Sequence, residues 1–292
     1  MSRYTFLLLI FIISCQSSKE VDTWKVYYFG GQSNMDGYGH NSKLPDSLKK
    51  VIPNSMIFNG NRDNQGTPKG GIGIWASVEP GHGYLFETNG ISNTLSGLFG
   101  SELSFANAMI KNGEKIAIIK YSFGGTSLYP GAGYGDWNPD QMRRNHYDNA
   151  LSTIKNAYEI ADINGDGRLD ELIPHGIIWM QGESDGGRGL APAYEKSFLR
   201  MLNRIKKDLE RKDVAFVIGR INDSRMSDPN WTAMRKVQVK LAENTEHGEW
   251  IDTDDLSEPE NGVHFPKESY PILGSRFAQK AITLIRKKSE RK

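Results

Sequence analysis

The sequence predicts an α/β domain with one parallel sheet and helices on both faces. Short apolar runs rich in β-branched and aromatic residues recur at 24–29, 115–121, 176–180 and 214–218, and each reads as a buried strand. Helical patterns of ten or more residues separate most of them, as the crossovers of a parallel sheet require. No internal repeat or interdomain linker interrupts residues 23–292, so a single domain is expected there.

The first strand runs into Gly30-Gly31-Gln32-Ser33-Asn34-Met35-Asp36-Gly37. Paired glycines followed by a hydroxyl suggest a tight turn that lifts Ser33 off the sheet edge, where open α/β sheets bind ligands. The spacing is not the Gly-x-Ser-x-Gly elbow, since Met35 stands where the second glycine would be. A serine in such a turn also serves as a local cap. Residues 40–100 are dense in Gly, Asn, Pro and Ser, with a strand expected only at 55–58. Irregular segments of that length tend to be functional loops. Residues 101–111 form a helix with Leu103, Ala106 and Ile110 on one face. The second buried strand, 115–121, leads into Ser122-Phe123-Gly124-Gly125-Thr126-Ser127. A second insertion, 129–138, carries Tyr134 and Trp137, and Pro139 predicts a helix start that runs to about 161. The strand at 176–180 ends in Gln181-Gly182-Glu183-Ser184-Asp185. A helix over 194–211, a strand over 214–218 and a helix opened by Asp228-Pro229 follow. A short strand at 250–252 and a terminal helix begun by Pro266 complete the pattern.

The formal charge is +1, and no basic stripe suggests a nucleic-acid partner. Arg286-Lys287-Lys288 fits a solvated helix C-terminus. Near the start, Arg3 precedes an apolar run over 6–13, too short to span a bilayer and suited to a secretory signal. Ile12-Ile13-Ser14-Cys15 resembles a bacterial lipobox, in which the cysteine is lipidated. The expected organisation is a signal over 1–15 ending at Cys15, a polar tether over 16–22 and the domain over 23–292. The protein would be exported and held at a membrane, periplasmic or cell-surface, by its lipid anchor. The alternative is a simple signal peptide with an incidental cysteine. Cys15 is the only cysteine, so no internal disulfide can form.

Four predicted strand ends carry polar, glycine-flanked groups, and a parallel sheet lays such ends along one rim. Hydroxyl, imidazole, carboxylate and backbone N–H groups there are the parts of an acyl-transfer site. Gly31-Gln32-Ser33-Asn34-Met35, Gly124-Gly125-Thr126-Ser127, Trp179-Met180-Gln181-Gly182-Glu183-Ser184-Asp185 and Gly262-Val263-His264-Phe265 together resemble the SGNH-hydrolase superfamily. The branch they look most like holds the carbohydrate esterases with sialic-acid-specific 9-O-acetylesterases and acetylxylan esterases. That resemblance implies a flavodoxin-like three-layer α/β/α sandwich and an enzyme that removes acetyl groups from sugar hydroxyls. It implies Ser33 as nucleophile and His264 as general base. The oxyanion donors would be the N–H of Ser33, that of Gly124 or Gly125, and the amide of Gln181. No cofactor is needed for that chemistry, and the expected partner is an acetylated carbohydrate.

Relatives usually place Asp three residues before the histidine, where this chain has Asn261. An amide orients an imidazole but supplies no charge, and in serine proteases that exchange costs about 10⁴-fold. Either Asn261 orients the ring, or a carboxylate elsewhere acts. Glu183 is the first candidate, with Asp185, Asp254 and Asp255 behind it, while a structural carboxylate is the plain alternative for Glu183. Asn261 also motivates a second reading, a catalytically impaired glycan-binding lipoprotein; a lipase or thioesterase is weaker, because the insertions are polar. His40, His82, His146, His175 and His247 lack metal-ligand spacing and read as polar or packing residues. Trp75, Tyr134 and Trp137 either stack on sugars or pack locally. Asp162 to Asp170 matches the first nine positions of a calcium loop, with ligands expected from Asp162, Asn164, Asp166, the Arg168 carbonyl and Asp170. Ile173 at the twelfth position excludes a full EF-hand, leaving a truncated structural calcium site or a plain Asx- and Gly-rich turn.

Overall fold

Successive residues of a strand point to opposite faces, and in β1 (Asp22–Gly31) both faces are apolar. A computed structural model describes residues 21–63, 70–212, 214–258 and 262–289; Cys15, most of the 16–22 tether and Asn261 lie outside them. Trp24, Val26 and Tyr28 enter one core with α3 (His146–Tyr158), α5 (Ala191–Asp208) and α6 (Pro229–Glu243). Tyr27 and Phe29 enter the other with α2 (Glu102–Lys111) and α7 (Tyr270–Ser289). Each fully buried large side chain contributes about 1.5–3 kcal/mol, so neither face can be left uncovered. The result is the expected flavodoxin-like three-layer sandwich.

Among the described residues, seven strands form the central sheet in the order β11-β10-β9-β1-β8-β3-β4. These are β3 (Ser55–Asn59), β4 (Trp75–Ser77), β8 (Ile116–Ser122), β9 (Asp170–Met180), β10 (Ala215–Gly219) and β11 (Gly248–Ile251), around β1. All neighbours are parallel except β3 and β4. Two small antiparallel pairs lie in the first insertion: β2 (Gly39–His40) with β7 (Leu98–Phe99), and β5 (Glu87–Thr88) with β6 (Asn93–Thr94). The carboxyl ends of β1, β8 and β9 therefore sit side by side, with Gly31 opposite both Ser122 and Met180.

Several boundaries differ from the sequence pattern. The helix expected from Pro139 begins at His146, because Asn145 accepts from the Tyr147 and Asp148 N–H groups while Asp148 answers the Asn145 N–H. That capping box fixes the start more strongly than a proline that merely tolerates one. Strand β9 begins at Asp170, ahead of the apolar run. Pro174 cannot donate to a ladder, and the pairing with β1 shifts register after Val26–Pro174 instead of ending there. Strand β4 carries no strand pattern in the sequence because Trp75-Ala76-Ser77 is short and set among Gly and Pro. Pro266 is followed by a 3₁₀ turn, Lys267–Ser269, before α7. Among the described residues no helix is long and apolar enough to cross a membrane.

Candidate active site

Gly31 has φ +145, and a Cβ there would lie 2.0 Å from the Met180 carbonyl oxygen. Only glycine permits that approach. It lets β1 end against β9, where the Gln32 N–H donates to the Met180 carbonyl at 2.9 Å. The chain then folds into one helical turn, α1 (Ser33–Asp36), with Ser33 first and 6% exposed. Gly124 follows β8 alongside, near enough that a Cβ on it would meet the Ser33 Cβ at 3.4 Å.

A cleft of about 790 Å³ opens over this rim. Ser33, Gly124, Gly125, Glu183 and His264 all line it. Asn34 closes the arrangement: its Nδ2 donates to the Val263 carbonyl at 2.9 Å, and its Oδ1 accepts from the Phe265 N–H at 3.3 Å. The residue after Ser33 is thus bonded to both neighbours of His264. The half-buried imidazole stacks on Tyr38, centroids 4.7 Å apart. Burial lowers its pKa below the ordinary 6.5, which leaves the ring neutral and able to take a proton at neutral pH.

Glu183 opens the short helix α4 (Glu183–Gly187) and is 5% exposed. Burial pushes its pKa up to about 7, against the opposing pull of nearby N–H donors. Its Oε1 accepts from Asn34 Nδ2 at 2.6 Å. The hydrogen bonds of the described residues thus lead from Glu183 to Asn34 and on to the His264 loop. Asp185, Asp254 and Asp255 do not line the cleft. Asp185 accepts from the Leu128 and Tyr129 N–H groups, Asp254 pairs with Arg220 and Arg235, and Asp255 pairs with Arg276. Asn261 lies outside the described residues.

Gln181 is fully buried, and its Nε2 donates to Asp185 at 2.7 Å and to the Thr126 carbonyl at 3.2 Å. With those acceptors taken, the amide braces the floor of the site rather than pointing into the cleft. Gly125, at φ +74, lies beneath the ring of Tyr134, which also lines the cleft. Of Trp75, Tyr134 and Trp137, only Tyr134 lines the cleft. Trp137 packs edge-on against Trp179, and Trp75 against Phe58. His146 secures the Tyr134 loop, bridging the Tyr121 hydroxyl at 3.0 Å and the Tyr134 carbonyl at 2.7 Å.

Several site residues gave no signal in the sequence. Arg62 lies 3.4 Å from Asp36 and over the Tyr84 ring, and Tyr84 stacks on Tyr38. Together with His264 they form one continuous wall of planar groups. Beneath the Ser33 turn, Lys120 is 1% exposed and donates to the Asp36 carbonyl, the His82 carbonyl and Glu102. It sits within an apolar run, which hides it from pattern reading.

The calcium-loop residues are far from the cleft lining, and their hydrogen bonds describe an Asx-type turn. Asp162 accepts from the Gly165, Asp166 and Gly167 N–H groups, Asn164 from that of Asp166, Asp166 from Arg168, and Asp170 from the Ile163 N–H and Trp24. Among the described residues no group of three His, Cys, Asp or Glu side chains is gathered to hold a metal.

The profile of the family described as carbohydrate esterase, sialic acid-specific acetylesterase matches residues 23–283. The chain belongs to that family. Solved structures agree at the level of fold. A protein from Arabidopsis thaliana superposes with TM-score 0.64 at 16% identity, covering 90% of this chain and 99% of its own. NanS gives 0.62 at 18%, covering 91% and 99%. A carbohydrate acetylesterase from Xanthomonas citri gives 0.62 at 18%, covering 90% of this chain, which spans 57% of that one. No curated protein matches the sequence. As a carbohydrate esterase-family chain, this protein carries its cleft at the carboxyl ends of β1, β8 and β9.

Proposed function

We propose that this chain is a serine-dependent carbohydrate O-acetylesterase. The observation that supports it best is the shared cleft of Ser33 and His264, with Asn34 tying their two segments together. In the proposed reaction Ser33 Oγ attacks the acetyl carbonyl while its proton passes to His264. The C–O bond to the sugar then breaks and His264 returns the proton to the departing sugar oxygen, leaving an acetyl-enzyme. Water attacks that ester, His264 takes its proton, and acetate leaves as Ser33 regains its hydrogen. The oxyanion would be held by the Ser33 N–H and a neighbouring glycine N–H. Gly125 is the better placed, since the Gly124 N–H already faces Asp36. Each such donor is worth on the order of 100- to 1000-fold in rate.

The substrate is read as an acetylated sugar, sialate or polysaccharide, because tyrosines and polar or charged groups make up most of the cleft lining, with Phe123 and Val263 beside them. Acetate release from p-nitrophenyl acetate and from acetylated glycans should be readily measurable and should fall at least 1000-fold in Ser33→Ala. Sugar binding without Ser33-dependent acetate release would favour a glycan-binding protein instead. Activity that rises with acyl length would favour a lipase or thioesterase.

The Ile12-Ile13-Ser14-Cys15 sequence supports export and a lipid anchor at Cys15, with the domain displayed at a membrane. Metabolic labelling with palmitate should mark the protein and be lost in Cys15→Ala; equal labelling of both would remove the anchor.

A further inference from the structure

Asn34 is buried to 1% exposure and sits between three segments far apart in sequence. Its amide is fully used. Nδ2 donates to Glu183 Oε1 at 2.6 Å and to the Val263 carbonyl at 2.9 Å, while Oδ1 accepts from the Phe265 N–H at 3.3 Å and the Tyr270 hydroxyl at 3.2 Å. Both nitrogen partners are acceptors and both oxygen partners are donors, so the amide satisfies them in one orientation only. An amide carries two N–H groups and one carbonyl oxygen, and no other side chain of similar size offers that set. The residue is also covalently next to Ser33, so its position fixes the nucleophile's turn as well as the loop it holds.

We propose that Asn34 is the positioning residue of this site, a clamp that holds the backbone on both sides of His264 against the Ser33 turn, with Glu183 anchoring the amide from behind. The inference rests on the esterase reading for its effect on rate, but the clamp itself can be observed without it. It gives Glu183 a part that needs no direct bond to the imidazole: the carboxylate orients Asn34, and Asn34 orients the loop that carries His264. The ring face is set separately, by stacking on Tyr38. Tyr270, at the start of α7, brings the terminal helix to the same amide. Base and nucleophile are thereby located by one side chain with four fixed bonds, and displacement of a reacting group by about 1 Å can cost 100-fold in rate.

The test compares wild type, Asn34→Ala and Asn34→Asp by two independent readouts. Hydrogen–deuterium exchange over 262–270 should rise at least about tenfold in Asn34→Ala, beyond any change in the sheet strands, since the Phe265 N–H loses its acceptor. Steady-state hydrolysis of p-nitrophenyl acetate should show kcat lowered about 100-fold with KM within about twofold. In Asn34→Asp the shape is kept, but both donated bonds are lost and a second carboxylate faces Glu183. Its deficit should therefore shrink toward acid pH, where the pair can share one proton and restore a donor. Unchanged exchange in Asn34→Ala overturns the clamp whether or not the protein is active. Raised exchange with unchanged kcat overturns the positioning role. A wild type without Ser33-dependent hydrolysis sinks the esterase reading instead, and the exchange result still decides the clamp. Should Asn34→Ala fail to fold, the Asn34→Asp pH profile decides, and a deficit independent of pH counts against the inference.

Discussion

Glu183 holds its proton up to about pH 7, whereas an unburied glutamate releases it near 4.5. Between those values the folded chain binds a proton that the unfolded chain has lost. Linkage then makes this group's contribution to stability full below pH 4.5 and progressively lost as pH rises through 7. Glu183→Gln keeps an oxygen that Asn34 can donate to and removes the titration. Urea melts should show the variant gaining on wild type between about pH 5 and 8; parallel curves would show that Glu183 does not titrate as its surroundings dictate. His264 has the opposite displacement, since burial favours its neutral form. The acid limb of kcat/KM should accordingly fall below the ordinary imidazole value of 6.5.

At the scale of elements, the turn that carries Ser33 is supported from below by strand β8. Lys120 from that strand reaches the Asp36 carbonyl at 3.0 Å and Glu102 of α2 at 2.9 Å, and Glu102 in turn accepts from the Gly100 N–H at 2.7 Å. The pair is nearly or wholly buried, so its attraction is largely offset by the cost of removing both charges from water. Removing one partner alone exposes that cost. Glu102→Ala should destabilise the fold by about 3–5 kcal/mol, while a double replacement by apolar residues of similar volume should recover much of it. Chemical denaturation of the single and double variants separates the two, and a single-variant loss below about 1 kcal/mol would mean water or another group takes Glu102's place. Helix α3 shows the same dependence on local chemistry. Its start obeys Asn145 and Asp148, not Pro139, because reciprocal side-chain caps satisfy N–H groups that a proline only omits.

For the molecule as a whole, the layered sheet was legible because most of β1, β8 and β10 and the second half of β9 are buried on both faces and read as largely apolar runs. The meeting of Ser33 and His264 at one cleft could be anticipated, because they lie in glycine-marked blocks whose order resembles a known superfamily. Asn34 was not legible: its partners are 149 to 236 residues away, and nothing local distinguishes it from any other turn asparagine. Tyr38, Tyr84 and Arg62 were hidden in an insertion whose pairing and stacking are set by distant contacts. Gln181 reads as an oxyanion donor by position in its block, yet Asp185, four residues on, takes its amide.

The contact between Asn34 and Phe265 spans 231 positions of the chain. With the roles proposed for Ser33 and His264, the base is made 231 residues after the nucleophile. A growing chain would thus have no working centre until the segment around Phe265 has been delivered and packed against the Ser33 turn, and hydrolytic power would arrive only with that late contact.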